Sequence, residues 1–219
     1  MKTFVQIGTN DGADKFNQLV KENNPDLIVL VEPNSGWINQ IFKNYSYITD
    51  KKKLKVENVA INTKSGPCEL VIPKKQVIGG NVVYRDPMGD SNLYSLLPMD
   101  DWGDDFHTIK ADSITFSDLC EKYSISEIDY LQMDTEGFDS QIILSIDFDK
   151  VKINKLQYEY WNFECETRYT RYGEEAIANK YGDKGMEAVE EKLLNLGYDL
   201  RFNPDYPGST LYNVVGILK

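Results

Sequence analysis

The order of apolar runs and breaks predicts an α/β protein built on a doubly wound, mostly parallel sheet. Three observations carry this. Short apolar runs alternate with segments of helical spacing along most of the chain. The runs Phe4 to Ile7 and Leu27 to Val31 are nearly continuous in apolar character, as strands covered on both faces are. The last two runs, Tyr198 to Phe202 and Leu211 to Leu218, follow one another without a helix between them, which predicts an antiparallel closing edge.

Taken in order, Phe4 to Ile7 is a strand that stops at Gly8. Ala13 to Glu22 is a helix with Phe16, Leu19 and Val20 on one face, ended by Asn23-Asn24-Pro25. Leu27 to Val31 is the second strand. Glu32-Pro33-Asn34-Ser35 turns into a helix through Phe42, with Asn34 or Ser35 as its cap. Lys53 to Ile61 reads as the third strand and Glu69 to Ile72 as a further one. From about Pro73 to His107, Gly79, Gly80, Pro87, Gly89, Pro98 and Gly103 break every periodicity. A loop of that length in a compact domain commonly serves function, so an irregular insertion over the acceptor is expected there. Regular structure resumes with a helix at Ser117 to Tyr123, a strand at Ile128 to Met133, a helix at Ser140 to Ser145 and a strand at Lys155 to Tyr160. Gly185 to Leu196 is an amphipathic helix expected to turn Val189, Leu193 and Leu194 inward. No linker, repeat or low-complexity stretch divides the chain, which reads as a single domain over 1–219.

The bulk numbers fit this. A chain of 219 residues, 41% hydrophobic and 27% charged, suits one α/β domain with a packed core. A net charge of -11 argues against a nucleic-acid partner, whose phosphates call for a basic face. Cys68, Cys120 and Cys165 are odd in number, far apart and without a CxxC pair, as expected in a reduced compartment without a zinc site. No apolar stretch is long enough to span a membrane and no export signal precedes the first strand, so the expected location is the cytoplasm.

In an open α/β sheet, ligands bind beyond the carboxyl ends of the strands. Gly8-Thr9-Asn10-Asp11-Gly12 lies at such an end. It lacks the third glycine of a dinucleotide fingerprint, and its acids Asp11 and Asp14 discourage a pyrophosphate. A nucleoside without phosphates fits better. Glu32 ends the second strand about 20 residues on, where a carboxylate accepts hydrogen bonds from ribose hydroxyls.

These residues resemble the FkbM-type family of S-adenosylmethionine-dependent methyltransferases. That family's first motif, approximately D-x-G-A-N-x-G, corresponds to Gln6-Ile7-Gly8-Thr9-Asn10-Asp11-Gly12, and its E-P element to Glu32-Pro33. Asn58-Val59-Ala60-Ile61 resembles its third-strand segment. Ile128 to Asp139 resembles the pattern I-D-x-L-K-x-D-x-E-G-x-E, with Asp134-Thr135-Glu136-Gly137 at its centre, and Ser113 to Leu119 resembles the T-L-D-x-L lead-in. Gln6 and Gln132 stand where the family usually has an acid and a lysine. The resemblance runs over roughly residues 4 to 165. It implies a class I methyltransferase domain, Rossmann-like, with seven strands, using S-adenosylmethionine. It also implies a cofactor site drawn from Gln6, Gly8, Thr9, Asn10, Gly12, Glu32, Pro33, Asn58, Ala60 and Asp134.

Methyl transfer to a hydroxyl needs acceptor and methyl aligned about 3 Å apart, and a base near the hydroxyl proton. Asp134 and Glu136, as alternate residues at a strand end, are expected on one side with Thr135 opposite, where two carboxylates can raise one another's pKa. Glu159, at the end of the next strand, is a further candidate base, and so is His107, the single histidine. No metal ligand is assigned; a divalent cation at Asp134 is conceivable, but no metal-ligand spacing supports it. Tyr160, Trp161 and Asn162 lie in an aromatic-rich segment suited to stacking on a sugar, and Trp102 in an acidic stretch suited to a lid. The reading is an O-methyltransferase acting on a small-molecule or glycan hydroxyl. The alternatives are a nucleotide-sugar or NAD-dependent enzyme on a related fold, or a non-catalytic cofactor- or glycan-binding module.

Overall fold

The computed structural model describes residues 1–78, 81–84, 106–159, 185–202 and 213–219. Its strands are β1 (Thr3–Ile7), β2 (Leu27–Val31), β3 (Leu54–Glu57), β4 (Ala60–Ile61), β5 (Gly66–Pro73), β6 (Lys75–Ile78), β7 (Asn81–Tyr84) and β8 (Phe106–Ile114). They continue with β9 (Glu127–Ile128), β10 (Tyr130–Met133), β11 (Lys152–Ile153), β12 (Lys155–Glu159), β13 (Tyr198–Phe202) and β14 (Asn213–Leu218). The α-helices are α1 (Lys15–Asn23), α2 (Ile38–Asn44), α3 (Phe116–Lys122), α4 (Asp139–Ser145) and α5 (Gly185–Asn195).

The fold is Rossmann-like. Seven strands form the main sheet in the order β13-β14-β12-β10-β1-β2-β3. The pairs from β12 through β3 are parallel, and β14 runs antiparallel to both its neighbours. Strand alternation sorts the side chains onto two cores. Val5 and Ile7, Val29 and Val31, and Leu131 and Met133 pack under α3, α4 and α5. Phe4, Ile28, Leu30 and Tyr130 pack under α1 and α2. Helices thus cover both faces, which is why the central strands are apolar on both. Gln6, Gln132 and Gln157 sit side by side across β1, β10 and β12 on the α1 side. The Tyr130 hydroxyl donates to Gln157 at 2.8 Å.

Caps fix the helix starts. Asp14 accepts from Asn17 N–H at the head of α1, and Asn34 accepts from Gly36 N–H after β2. Thr115 and Asp118 form a reciprocal capping box on α3. At the tail of α4, Lys192 of α5 donates to the carbonyls of Ile143, Leu144 and Ile146 at 3.2, 2.9 and 2.9 Å. Lys192→Met is expected to leave those carbonyls without that partner and cost about 1–3 kcal/mol, read by urea unfolding.

The structure corrects several sequence expectations. The stretch read as irregular from Pro73 to His107 contains β6, β7 and the start of β8. β8 pairs with β5 along eight positions in an antiparallel arm joined by β4, a three-stranded sheet apart from the main one. The third strand read as Lys53 to Ile61 divides at Asn58, with β3 in the main sheet and β4 in the arm. Leu194, expected inward on α5, is 56% exposed, whereas Val189 and Leu193 are fully buried. Leu194 directly follows Leu193, so the helical turn points it elsewhere.

Candidate active site

The Gly8 to Gly12 loop is shaped by left-handed backbone at Gly8, Asn10 and Gly12, with φ of 79°, 53° and 73°. Its N–H groups bind protein. Gly8 and Thr9 both donate to Val31 O at 3.0 and 3.1 Å, Gly12 donates to Thr9 O at 3.0 Å, and Asn10 donates to Glu32 Oε2 at 2.7 Å. A phosphate-binding loop would aim such groups at its ligand; this one turns three of them onto Val31 and Glu32 at the end of β2 and the fourth back onto Thr9. Thr9 is buried, with its hydroxyl on Val31 O, so it supports the loop from behind.

Glu32 closes the same corner. It is 4% exposed and accepts from Asn10 N–H and from Asn34 N–H at 2.7 and 2.8 Å. Burial pushes its carboxyl up to about 7, against the pull of those two N–H groups. Asn58 pins the turn from outside, donating to the carbonyls of Glu32 and Pro33, both at 2.9 Å. A cavity of about 300 Å³ opens here, beyond the ends of β1, β2 and β10 and against β4. Gly8, Asn10, Glu32, Pro33, Ala60, Asp134 and Glu136, all singled out in the sequence, line it. Thr135 lines it too, with apolar walls from Trp37, Val59, Ile61, Leu70 and Phe138. These apolar walls were not singled out from the sequence. Val59, Ile61 and Phe138 lay within the segments that carry the family resemblance, whereas Trp37 and Leu70 carried no site signal.

Across from Glu32, the expected alternation of Asp134 and Glu136 does not hold, because β10 ends at Met133 and Glu136 takes φ 54° in a turn. The carboxylate that meets Asp134 is Glu159, through a side-chain hydrogen bond. Asp134 is exposed to solvent at the cleft, and Glu159 is half-buried. Burial first, then neighbouring carboxylates, pushes both groups up: Asp139 and Asp14 act on Asp134, and Asp134 and Asp139 act on Glu159. Asp139, unmarked by the sequence reading, is 0% exposed. Gln6 is 1% exposed and donates to Asp14 Oδ2 at 2.5 Å, while its Oε1 has no partner among the described residues.

His107 stands on β8 opposite Ile72, on the face that Leu70 shares, two rungs beyond the cavity wall and outside its lining. Trp102, Tyr160, Trp161 and Asn162 lie outside the described residues. No group of three His, Cys, Asp or Glu among the described residues is arranged to hold a metal ion. No helix among the described residues is long and apolar enough to cross a membrane.

The strand order, with this cavity at its carboxyl edge, defines a methyltransferase-type Rossmann-like fold. The chain belongs to the methyltransferase FkbM domain family, which it matches over residues 6–200. A crystal structure of methyltransferase FkbM from Methylobacillus flagellatus KT aligns with TM-score 0.50 at 10% identity, over 99% of this chain and 43% of that one. The present chain thus spans less than half the length of that relative. A human methyltransferase 10 domain containing protein aligns with TM-score 0.49 at 9% identity, over 100% of this chain and 72% of that one. No curated protein matches the chain.

Proposed function

We propose that the protein is an S-adenosylmethionine-dependent O-methyltransferase whose acceptor is a hydroxyl of a sugar or polysaccharide unit. Family membership supports the reaction class. The observation that carries the cofactor assignment is the charge of the cavity: Glu32, Asp134 and Glu136 line it, and among the described residues no Lys, Arg or His does. A diphosphate in that lining would meet three carboxyl groups and, among the described residues, no cation, while the N–H groups of Gly8, Thr9, Asn10 and Gly12 are already bound to protein, which disfavours a nucleotide-sugar or NAD-dependent enzyme. A cationic nucleoside meets the reverse. Glu32 would hold ribose hydroxyls, and Trp37, Val59, Ile61, Leu70 and Phe138 give the apolar walls a flat base needs.

When bound, the cofactor supplies a methyl group activated on a sulfonium. The chain's own part is to orient the acceptor and take its proton, and Asp134 with Glu159 is the group suited to that. The sugar acceptor rests on the resemblance and on the aromatic segment at Tyr160, Trp161 and Asn162, with Trp102 and the 73–107 insertion as the proposed cover.

Calorimetry with S-adenosylhomocysteine is the direct test, followed by transfer of a labelled methyl group to a panel of glycans and small alcohols. Binding that NADH does not compete away, together with labelled acceptor, is the expected result. Competition by NADH without S-adenosylhomocysteine binding would overturn it. Cofactor binding with no labelled product would point to a non-catalytic module.

A further inference from the structure

The main sheet is not covered evenly on the α1 side. Phe4, Ile28, Leu30 and Tyr130 pack under α1 and α2, but none of the side chains that β12, β14 and β13 turn to this side enters that core. On β12 these are Lys155, Gln157 and Glu159, each half-buried, alternating with the buried Leu156 and Tyr158. Register carries the same side across the neighbouring strands. Gln6, Gln132, Gln157 and Val215 form one rung, with Arg201 beyond them on β13. Glu159 and Asn213 form the next rung towards the cleft, about 6.6 Å further on. The amides in this row lack partners. The Tyr130 hydroxyl donates to Gln157 Oε1 at 2.8 Å, and Gln132 Oε1 lies 3.4 Å from the same hydroxyl. The side-chain N–H groups of Gln132 and Gln157 have no acceptor among the described residues, and the buried Gln6 Oε1 has no donor there. The cations of this face are engaged already. Arg201 and Lys219 stand 3.1 and 3.9 Å from Asp199, and Lys155 lies over the Tyr130 ring at 5.0 Å.

We propose that this face of the sheet is the platform on which a neutral glycan acceptor lies, with Gln132 and Gln157 as its hydrogen-bonding floor and the sugar to be methylated at the Glu159 end. This rests on the reading of the site as a sugar-hydroxyl methyltransferase and names where the rest of that acceptor goes. A side-chain amide donates and accepts at once, as a sugar hydroxyl does, so a row of amides pairs with a run of hydroxyls without adding charge. Adjacent strands set the Gln132 and Gln157 amides about 4.8 Å apart, a spacing that the hydroxyls of one sugar unit span. A phosphorylated or carboxylated polymer would call for a free cation beside the row, and Lys155, Arg201 and Lys219 are each already held. An apolar partner would strand the amides without hydrogen bonds. The platform is continuous with the cleft, because Glu159 follows Gln157 on the same side of β12. A chain seated on the amide row therefore reaches the candidate base within one rung.

The test follows the glutamine side-chain amide signals by nuclear magnetic resonance while short dextran, mannan and galactan oligosaccharides are added to about 10 mM, enough to reveal millimolar affinity. The Gln132 and Gln157 signals are expected to shift with at least one of the three. Gln157→Ala should weaken that binding about tenfold, and Gln132→Ala should do the same if Gln157→Ala does not fold. In the free protein Lys155 should react with an amine-acylating reagent, and the bound glycan should protect it. Signals indifferent to all three glycans, or an affinity unchanged in the variants, would overturn the proposal. So would a stronger response to polygalacturonate, which would assign the face to an acidic polymer. A Lys155 that resists acylation in the free protein would also overturn it, because the chain itself or a second copy would already cover the face. S-adenosylhomocysteine binding is read on the same samples by calorimetry. Cofactor binding without a glycan response sinks the platform alone, and a glycan response without cofactor binding sinks the methyltransferase reading.

Discussion

Gly8→Ala is expected to cost at least about 4 kcal/mol and to abolish cofactor binding. A Cβ at Gly8 would stand 1.8 Å from the carbonyl oxygen of Asp134 and 2.8 Å from its carbonyl carbon. Both are backbone atoms, so no rotamer relieves the overlap and β1 must part from β10. That separation pulls on the Asp134 N–H to Ile7 O bond at 3.0 Å and on the two loop N–H groups bound to Val31 O. The backbone itself adds strain, with φ at +79°, where an L side chain is disfavoured by about 1–2 kcal/mol. Gly66→Ala separates the two contributions. Gly66 also has positive φ, at +129°, but nothing lies within 4 Å of its added Cβ. It should lose only about 1–3 kcal/mol and keep its cofactor affinity. Urea unfolding of the three proteins checks this, and a Gly8→Ala protein within about 1 kcal/mol of the parent would refute the close-approach account.

Gly8 was legible in the sequence as a strand end, and so was the link between its loop and Glu32, which Asn10 makes, because both ends are local to long apolar runs. The antiparallel arm was not. The inward positions of β8 are His107, Ile109, Ala111 and Ser113, a row too polar to stand out as a strand. Its partner β5 supplies Leu70 and Ile72 instead, so the apolar face exists only once the two strands meet. Asp139 was hidden for a related reason. In the sequence it is an ordinary acid at a helix start, and its burial depends on Thr135 close by and on Glu159 at a separation of 20 residues. The Asp134 partnership failed to show because alternation was carried past the strand's last residue into a turn. Gln132, without a role in the sequence reading, stands between Gln6 and Gln157 in register.

Glu32 is expected to set both how tightly the cofactor binds and how the empty protein responds to pH. Its carboxyl is raised from 4.5 to about 7 by burial. An acid raised on folding gives stability that is complete below the unfolded value and is lost as pH rises through the folded one. The unliganded protein should therefore lose about 3 kcal/mol from this one group between pH 4.5 and somewhat above 7. Glu32→Gln should flatten that slope in urea unfolding across the same range, although its amide leaves one of the Asn10 and Asn34 N–H groups facing a donor. Ribose hydroxyls hydrogen-bonded to the carboxylate would favour the ionised form, so S-adenosylhomocysteine should bind more tightly as pH rises through 7 and displace a proton. Two hydrogen bonds to a charged acceptor make Glu32→Ala weaken that binding by about two orders of magnitude, and the pH dependence should vanish with the carboxylate. Calorimetry in buffers of different ionisation enthalpy reads both quantities at once. A Glu32→Ala affinity within about threefold of the parent would mean that the ribose is held elsewhere. A pH-independent affinity in the parent would mean that the carboxylate keeps the same charge with and without its ligand.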